Sequence, residues 1–196
     1  MKSHFVFFSI VAAMALRAGF AQETPTPDTA PAVSTAAPTS PEAAPATKPV
    51  DLFEQDYDEP SDTFLIPGTK TPYSGPVYST YDSGKKESTG TLKDGHEEGL
   101  WTEYYEDGTK SSEGVYRAGK EEGAWKYWFE NGKLQCEASY SDGIPTGRWK
   151  TYFESGAPES EGVYIQGKAD GEWNIYDEES GKASIVKYKD GVQLTK

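Results

Sequence analysis

From residue 73 onward the chain alternates bulky and polar side chains in short runs, each run cut by glycine, and the cuts recur at a fixed interval. Glycine stands at 75, 99, 123, 147 and 171, each step being 24 residues, and tryptophan follows two positions after the last four of these. A second glycine recurs at 84, 108, 132 and 156, and a third at 95, 119, 143, 167 and 191. Tyr116, Tyr140, Tyr164 and Tyr188 form a further column, headed by Leu92. The one slip is in the last unit, where Asp-Glu-Glu-Ser-Gly moves the second glycine to Gly181 before Tyr188 recovers the frame. Self-similarity at a fixed period of this length marks a repeat array.

Each period reads as a β-hairpin. A strand such as WKYWFEN is rich in aromatic residues and alternates in character. It ends in a turn that carries Gly84, Gly108, Gly132, Gly156 or Gly181, where Asp-Gly and Asn-Gly favour the left-handed conformations of tight turns. A second strand of about eight residues then reaches the column tyrosine, and an Asp-Gly or Ala-Gly turn leads to the next unit. One hairpin cannot bury its own apolar face, so neighbours stack. The expectation is an all-β domain over 73–196, five stacked hairpins in an elongated antiparallel meander.

Residues two apart in a strand share a face. One face takes Trp101, Trp125, Trp149 and Trp173 with Tyr105, Phe129 and Phe153. On the second strand, Tyr116, Tyr140, Tyr164 and Tyr188 accompany the small residues Gly114, Ala138 and Gly162, which reads as clearance for the rings. This tryptophan face is the expected core. The other face carries Tyr104, Trp128, Tyr152 and Tyr176 in one column, flanked by Lys126 and Lys150. Equivalent strands of a meander repeat every two strand spacings, roughly 10 Å. These rings either cover the second side of a thin sheet, half-buried, or form a ladder that grips an extended partner or successive sugars; they are the candidate binding face. Cys136 occupies a column of serines, and Glu113, Glu137 and Glu161 form a solvated row or a site for a basic partner.

The unit G-x-W-x-x-Y-[YF]-E-x-G, seen in GLWTEYYEDG, GAWKYWFENG and GRWKTYFESG, resembles the MORN repeat, and more closely the variant of bacterial YwqK-type antitoxin proteins. The resemblance covers about residues 73–191. It implies a non-catalytic scaffold, a dimerisation module or a lipid binder, and the antitoxin variant implies neutralising a partner protein.

Upstream of the array the chain changes character. MKSH, an apolar run FVFFSIVAAMAL and the small residues before Gln22 read as a signal peptide over 1–21, cleaved between Ala21 and Gln22, which predicts export to periplasm, cell surface or medium. Residues 22–50 hold seven of the thirteen prolines and few bulky apolar side chains, the composition of a linker. Residues 51–72 begin with DLFEQDYDEPSD, an acidic lead-in or N-terminal cap. Loss of Lys2 and Arg17 with the signal takes the formal charge from −13 to −15. Such a surface disfavours nucleic acid and anionic membranes and favours a basic protein partner.

Catalytic signatures are missing. His96 is the single histidine after the signal, and Cys136 the single cysteine, so neither a transition-metal set nor a disulfide is expected. No glycine pattern matches a phosphate loop opening a helix, and no glycine-flanked nucleophile is present. The expected function is therefore an exported, non-catalytic scaffold for protein–protein interaction in the cell envelope, without cofactor or metal, possessing open strand edges that permit a homodimer. Glycan binding through the aromatic column is the alternative, and lipid-head recognition ranks third.

Overall fold

The computed structural model describes residues 48–195; the stretch 1–21 read as a signal peptide and residues 22–47 of the stretch read as a linker lie outside the described residues. The chain enters through β1 (Val50–Asp51), a 3-10 helix (Leu52–Glu54), β2 (Asp56–Asp58) and β3 (Thr63–Leu65). Five hairpins follow: β4 (Gly75–Thr80) with β5 (Lys86–Lys93); β7 (Gly99–Tyr104) with β8 (Lys110–Arg117); β9 (Lys120–Trp128) with β10 (Leu134–Ser141); β12 (Gly147–Tyr152) with β13 (Pro158–Ile165); and β14 (Lys168–Tyr176) with β15 (Ala183–Lys189). Short segments β6 (His96–Glu97) and β11 (Ile144–Pro145) flank β5 and β10, and β16 (Val192–Leu194) closes the described array.

From β4 onward neighbours in sequence are neighbours in space, and every pairing is antiparallel. The result is one 14-stranded sheet whose main path runs β1-β4-β5-β7-β8-β9-β10-β12-β13-β14-β15-β16, with β6 paired to β5 and β11 to β10 off that path, and with β2 and β3 as a separate two-stranded ribbon. Five hairpins in an antiparallel meander are thus the architecture of the described residues.

The two kinds of turn divide the conformational work differently from the expectation. In the turns between units, Asp94, Ala118, Asp142, Gln166 and Asp190 all sit at positive φ before a left-handed glycine, such as Asp142 at 55° and Gly143 at 77°. Both central residues left-handed is the mirror-image turn that matches strand twist. In the Glu-x-Gly turns only the glycine is left-handed, as at Gly132 (φ 78°). There the preceding residue acts through its side chain: Asn131 Oδ1 accepts from the Lys133 amide at 2.9 Å, and Asp107 Oδ1 from the Thr109 amide at 2.7 Å. Turns also bond to turns one period away. The Gly143 amide donates to the Glu121 carbonyl at 3.0 Å, and the Asn131 side-chain amide to the Glu154 carbonyl at 3.1 Å.

The core is a chain of rings running perpendicular to the strands. Trp101, Trp125, Trp149 and Trp173 are all buried. They interleave with the tyrosine column, so that Trp101, Tyr116, Trp125, Tyr140, Trp149, Tyr164, Trp173 and Tyr188 meet edge-to-face at centroid distances of 4.9–6.3 Å. Edge-to-face contacts of this kind contribute about 0.5–1.5 kcal/mol each beyond area burial. The spine lies close to the sheet because the strand beneath each tryptophan is small. A Cβ at Gly90, Gly114 or Gly162 would fall 1.7, 2.0 and 2.1 Å from the rings of Trp101, Trp125 and Trp173 respectively. Tyr127 stacks on Trp125 at 6.0 Å and adds a second buried ring in that unit.

Three residues assigned to the core sit elsewhere. Tyr105, Phe129 and Phe153 are half-buried and lie just past the strand ends, because a register shift precedes each of them, at Glu103/Tyr104, Leu134/Cys136 across the hairpin, and Thr151/Tyr152. Tyr105 acts as a staple between units: its hydroxyl donates to the Trp128 carbonyl at 2.6 Å, as Tyr81 does to Tyr104.

The lead-in covers the first unit. Val50 and Asp51 pair parallel with Val77 and Tyr78, so the fold begins inside the stretch read as linker. Leu52 is buried against Val77, Leu92 and Trp101, with Val50, Phe64, Tyr73 and Tyr116 packed around them. The Phe64 amide donates to the Gly95 carbonyl at 2.9 Å, and the Gly95 amide to the Tyr73 carbonyl at 2.8 Å, tying the ribbon to the first inter-unit turn. Apolar residues inside an acidic segment therefore do the capping, while its carboxylates face outward.

Candidate functional site

The second face of the sheet, opposite the spine, carries two rows that cross the strands. Register places Tyr104 opposite Lys110, Trp128 opposite Leu134, Tyr152 opposite Pro158 and Tyr176 opposite Ala183, so the four rings form one row with these residues between them. All four rings are half-buried. Six strand steps separate Tyr104 from Tyr176, a row of about 29 Å with a ring about every 10 Å.

Cations lie against this row, though not all of those expected. Lys150 stands over the Tyr152 ring at 5.4 Å. Lys110 stands over Trp128 at 5.3 Å and Lys86 over Tyr104 at 5.7 Å. Sequence spacing singled out Lys126 instead, because it counted only neighbours along a strand. Lys86 and Lys110 come from the adjacent strand, and their signal is the cross-strand register: the lysine that opens the second strand of the first two hairpins.

The second row is a charge ladder. Glu113, Lys126, Glu137, Lys150 and Glu161 face one another on successive strands, and Asn174 follows. Lys126 Nζ is 4.0 Å from Glu137, and Lys110 pairs with Glu113. The Tyr152 hydroxyl donates to Glu137 at 3.1 Å and the Tyr176 hydroxyl to Glu161 at 3.0 Å, locking ring row to charge row. The Tyr176 hydroxyl first, and Asn174 second, hold the Glu161 carboxyl below the usual range. Exposed pairs contribute about 0–1 kcal/mol each, so the ladder orders this face more than it stabilises the fold. Lys126 and Lys150 each stand between glutamates of the two neighbouring strands.

The ring row is bordered by the Glu-x-Gly turns. There Glu106, Glu130, Glu154 and Glu178 recur as an exposed acidic rim, and none of them takes an ion pair among the described residues. The row ends in an open recess of about 470 Å³ lined by Ile175, Tyr176, Asp177, Ser180, Lys182, Ala183 and Ser184. It exists because Ala183 stands where earlier units place Lys86, Lys110, Leu134 or Pro158, and because the turn from Asp177 to Lys182 is one residue longer.

Reactive groups point the other way. The Cys136 thiol is buried, and burial pushes its pKa up to about 12, which removes thiolate character at neutral pH. Glu97 and Glu103 are raised chiefly by burial on the spine side, Glu103 while accepting from the Ser112 hydroxyl at 2.7 Å. Among the described residues no group of three or more His, Cys, Asp or Glu side chains has a metal-holding arrangement.

No curated protein matches the chain. The family model of the MORN repeat variant matches three consecutive segments, residues 97–118, 121–142 and 145–166. Each match spans the tryptophan strand and the tyrosine strand of one hairpin in the frame described above, and across these residues the chain is similar to a MORN-type repeat array.

Proposed function

We propose that the protein is an exported, non-catalytic repeat scaffold that binds another protein of the cell envelope through the second face. The observation that carries this reading is the row of four half-buried rings at a ~10 Å repeat, bordered by an acidic rim without counter-ions. The spine already supplies the aromatic core on the other face, and rings with a polar border are the anatomy of protein contact surfaces. The rim supports a partner with basic side chains placed around an apolar ridge. An immunity-like role against such a partner is the narrower form of the same reading.

Capture from envelope extract tests it. The mature chain is expected to retain a protein that a Trp128→Ser/Tyr152→Ser variant releases. A variant that retains the same proteins as wild type removes the row from the interaction and overturns the proposal. Pelleting with peptidoglycan, competed by soluble sugar, would turn the row into a glycan ladder instead.

A further inference from the structure

The four rings of the row are not equivalent. Three carry a cation of this chain, Lys86 over Tyr104, Lys110 over Trp128 and Lys150 over Tyr152, at 5.3–5.7 Å from the ring centres. Tyr176 carries none among the described residues. We propose that the recess beside Tyr176 binds an arginine side chain of the basic protein partner, with the guanidinium stacked on the ring and paired with Asp177. This rests on the reading of the second face as a protein-binding surface, and it names the chemistry of one contact on that face.

The repeat is its own control. It brings an ammonium to a ring by two routes. Lys86 and Lys110 stand 18 residues before Tyr104 and Trp128, on the preceding strand of the sheet. Lys150 stands two residues before Tyr152, on the same strand. At Tyr176 these two places are held by Pro158 and Asn174, neither of them charged. Asn174 instead donates to Glu161 at 3.2 Å, beside the bond of the Tyr176 hydroxyl to the same carboxylate. The ring is thus held in place while its cation is missing. A cation over the ring face is the interaction the row makes at its other three places, and Tyr176 offers the same π face without it.

The turn after Tyr176 departs from the repeat in the same direction. Asp177 occupies the place of Tyr81, Tyr105, Phe129 and Phe153, whose amides close the earlier turns as the Asp177 amide closes this one onto the Lys182 carbonyl. An acid therefore replaces an aromatic ring at the border of the recess. Its Oδ1 accepts from the Ser180 amide at 2.9 Å and the Ser180 hydroxyl at 2.6 Å, while its Oδ2 takes no hydrogen bond among the described residues. The same turn adds Glu178 and Glu179, and none of the three carboxylates takes an ion pair among the described residues. Lys182 also borders the recess, with neither a ring contact nor an ion pair among the described residues. Ala183 leaves the space open, about 470 Å³. A guanidinium suits this set better than an ammonium. It is planar and lies flat on a ring, while its fork of N–H donors reaches a carboxylate at the ring's edge.

Titration of the mature chain with N-acetyl-arginine amide, followed through backbone amide signals, tests the proposal. Saturable shifts confined to residues 174–184 are expected, and none from the uncharged isostere N-acetyl-citrulline amide. Asn174→Lys restores the lysine that Tyr152 has, and is expected to cover the ring with the chain's own cation and weaken arginine binding by about threefold or more. Tyr176→Leu and Asp177→Asn are each expected to weaken it by about the same factor. Signals elsewhere in the array that match wild type establish that each variant is folded. Shifts that do not saturate, shifts that citrulline reproduces, or an Asn174→Lys chain that binds as wild type does overturn the proposal. Equal binding of N-acetyl-lysine amide overturns the assignment to arginine. The titration needs no partner protein. Its failure with capture intact removes the arginine site and leaves the scaffold reading standing, whereas capture indifferent to the ring row with the titration intact removes the scaffold reading alone.

Discussion

Gly114→Ala probes the closeness of spine and sheet. Gly114 has no positive φ, so alanine is conformationally acceptable there, and any effect comes from contact. The new methyl would lie 2.0 Å from Trp125 Cδ2, 2.2 Å from Cε2 and 2.5 Å from Cγ. Ordinary carbon contact begins near 3.5 Å, so the ring must retreat by about 1.5 Å. Trp125 cannot do so alone: it contacts Tyr116 at 5.0 Å, Tyr127 at 6.0 Å and Tyr140 at 6.3 Å, and its Nε1 donates to the Val115 carbonyl at 3.3 Å. Overpacking of this kind costs about 1–3 kcal/mol. Restriction of the unfolded chain offsets about 0.4–1 kcal/mol. The net loss is about 1–2 kcal/mol, a fall in Tm of roughly 3–8 °C for a domain of this size. Thermal unfolding followed by tryptophan fluorescence reads it directly. Ala138 is the control, because that unit has already adapted to a methyl, and Ala138→Gly should cost at most about 1 kcal/mol. A Gly114→Ala protein as stable as wild type would refute the close approach.

Other consequences follow from particular contacts. Leu52→Ala should remove about 2–5 kcal/mol, since it empties the centre of the cap over Val77, Leu92 and Trp101; a loss under 1 kcal/mol would mean the lead-in does not cap the array. Glu103 has its carboxyl raised above the ordinary value of 4.5, first by burial, so the folded state binds its proton more tightly than the unfolded state. Stability from this group is therefore gained as pH falls from the raised value toward 4.5, and Glu103→Gln should stabilise the protein near neutral pH and flatten that window in chemical unfolding. Cys136 should resist thiol reagents at pH 8 while folded and react fully on unfolding; rapid reaction of the native protein would contradict its burial. Tyr105→Phe should lose about 0.5–1.5 kcal/mol with its bond to the Trp128 carbonyl, whereas Phe129 and Phe153 show that the ring itself fits without a hydroxyl.

The array was legible because its determinants are local and periodic. Glycines at 24-residue steps, the Gly-x-Trp opening and the column tyrosines state hairpin, face and neighbour at once, and the small residues Gly114 and Gly162 foretell the close approach of a ring. Register shifts were not legible. Alternation assigns Tyr105, Phe129 and Phe153 to the tryptophan face, but the bulge before each turn changes the phase, which a two-residue period cannot express. The turn chemistry was half visible: Asp-Gly and Asn-Gly look alike in sequence, yet the strand connections around them decide whether one or both residues become left-handed. On the candidate face the rings were identified from their column, while Lys86 and Lys110 were missed because their contacts cross between strands. The cap hid for a similar reason, since Leu52 is a single apolar residue amid carboxylates and its value appears only against Val77 and Leu92.

Trp125 and Trp128 stand three residues apart on one strand and face opposite ways, one in the spine and one in the ring row. Comparing the unfolding free energies of Trp125→Ala and Trp128→Ala, with partner capture measured on both, tests the division of the sheet into a structural and an interacting face. The account predicts a loss of about 3–5 kcal/mol for Trp125→Ala. For Trp128→Ala it predicts a loss of about 1–2 kcal/mol, with the fold retained and capture abolished. Equal destabilisation by the two substitutions, or capture undiminished in a folded Trp128→Ala protein, would contradict it.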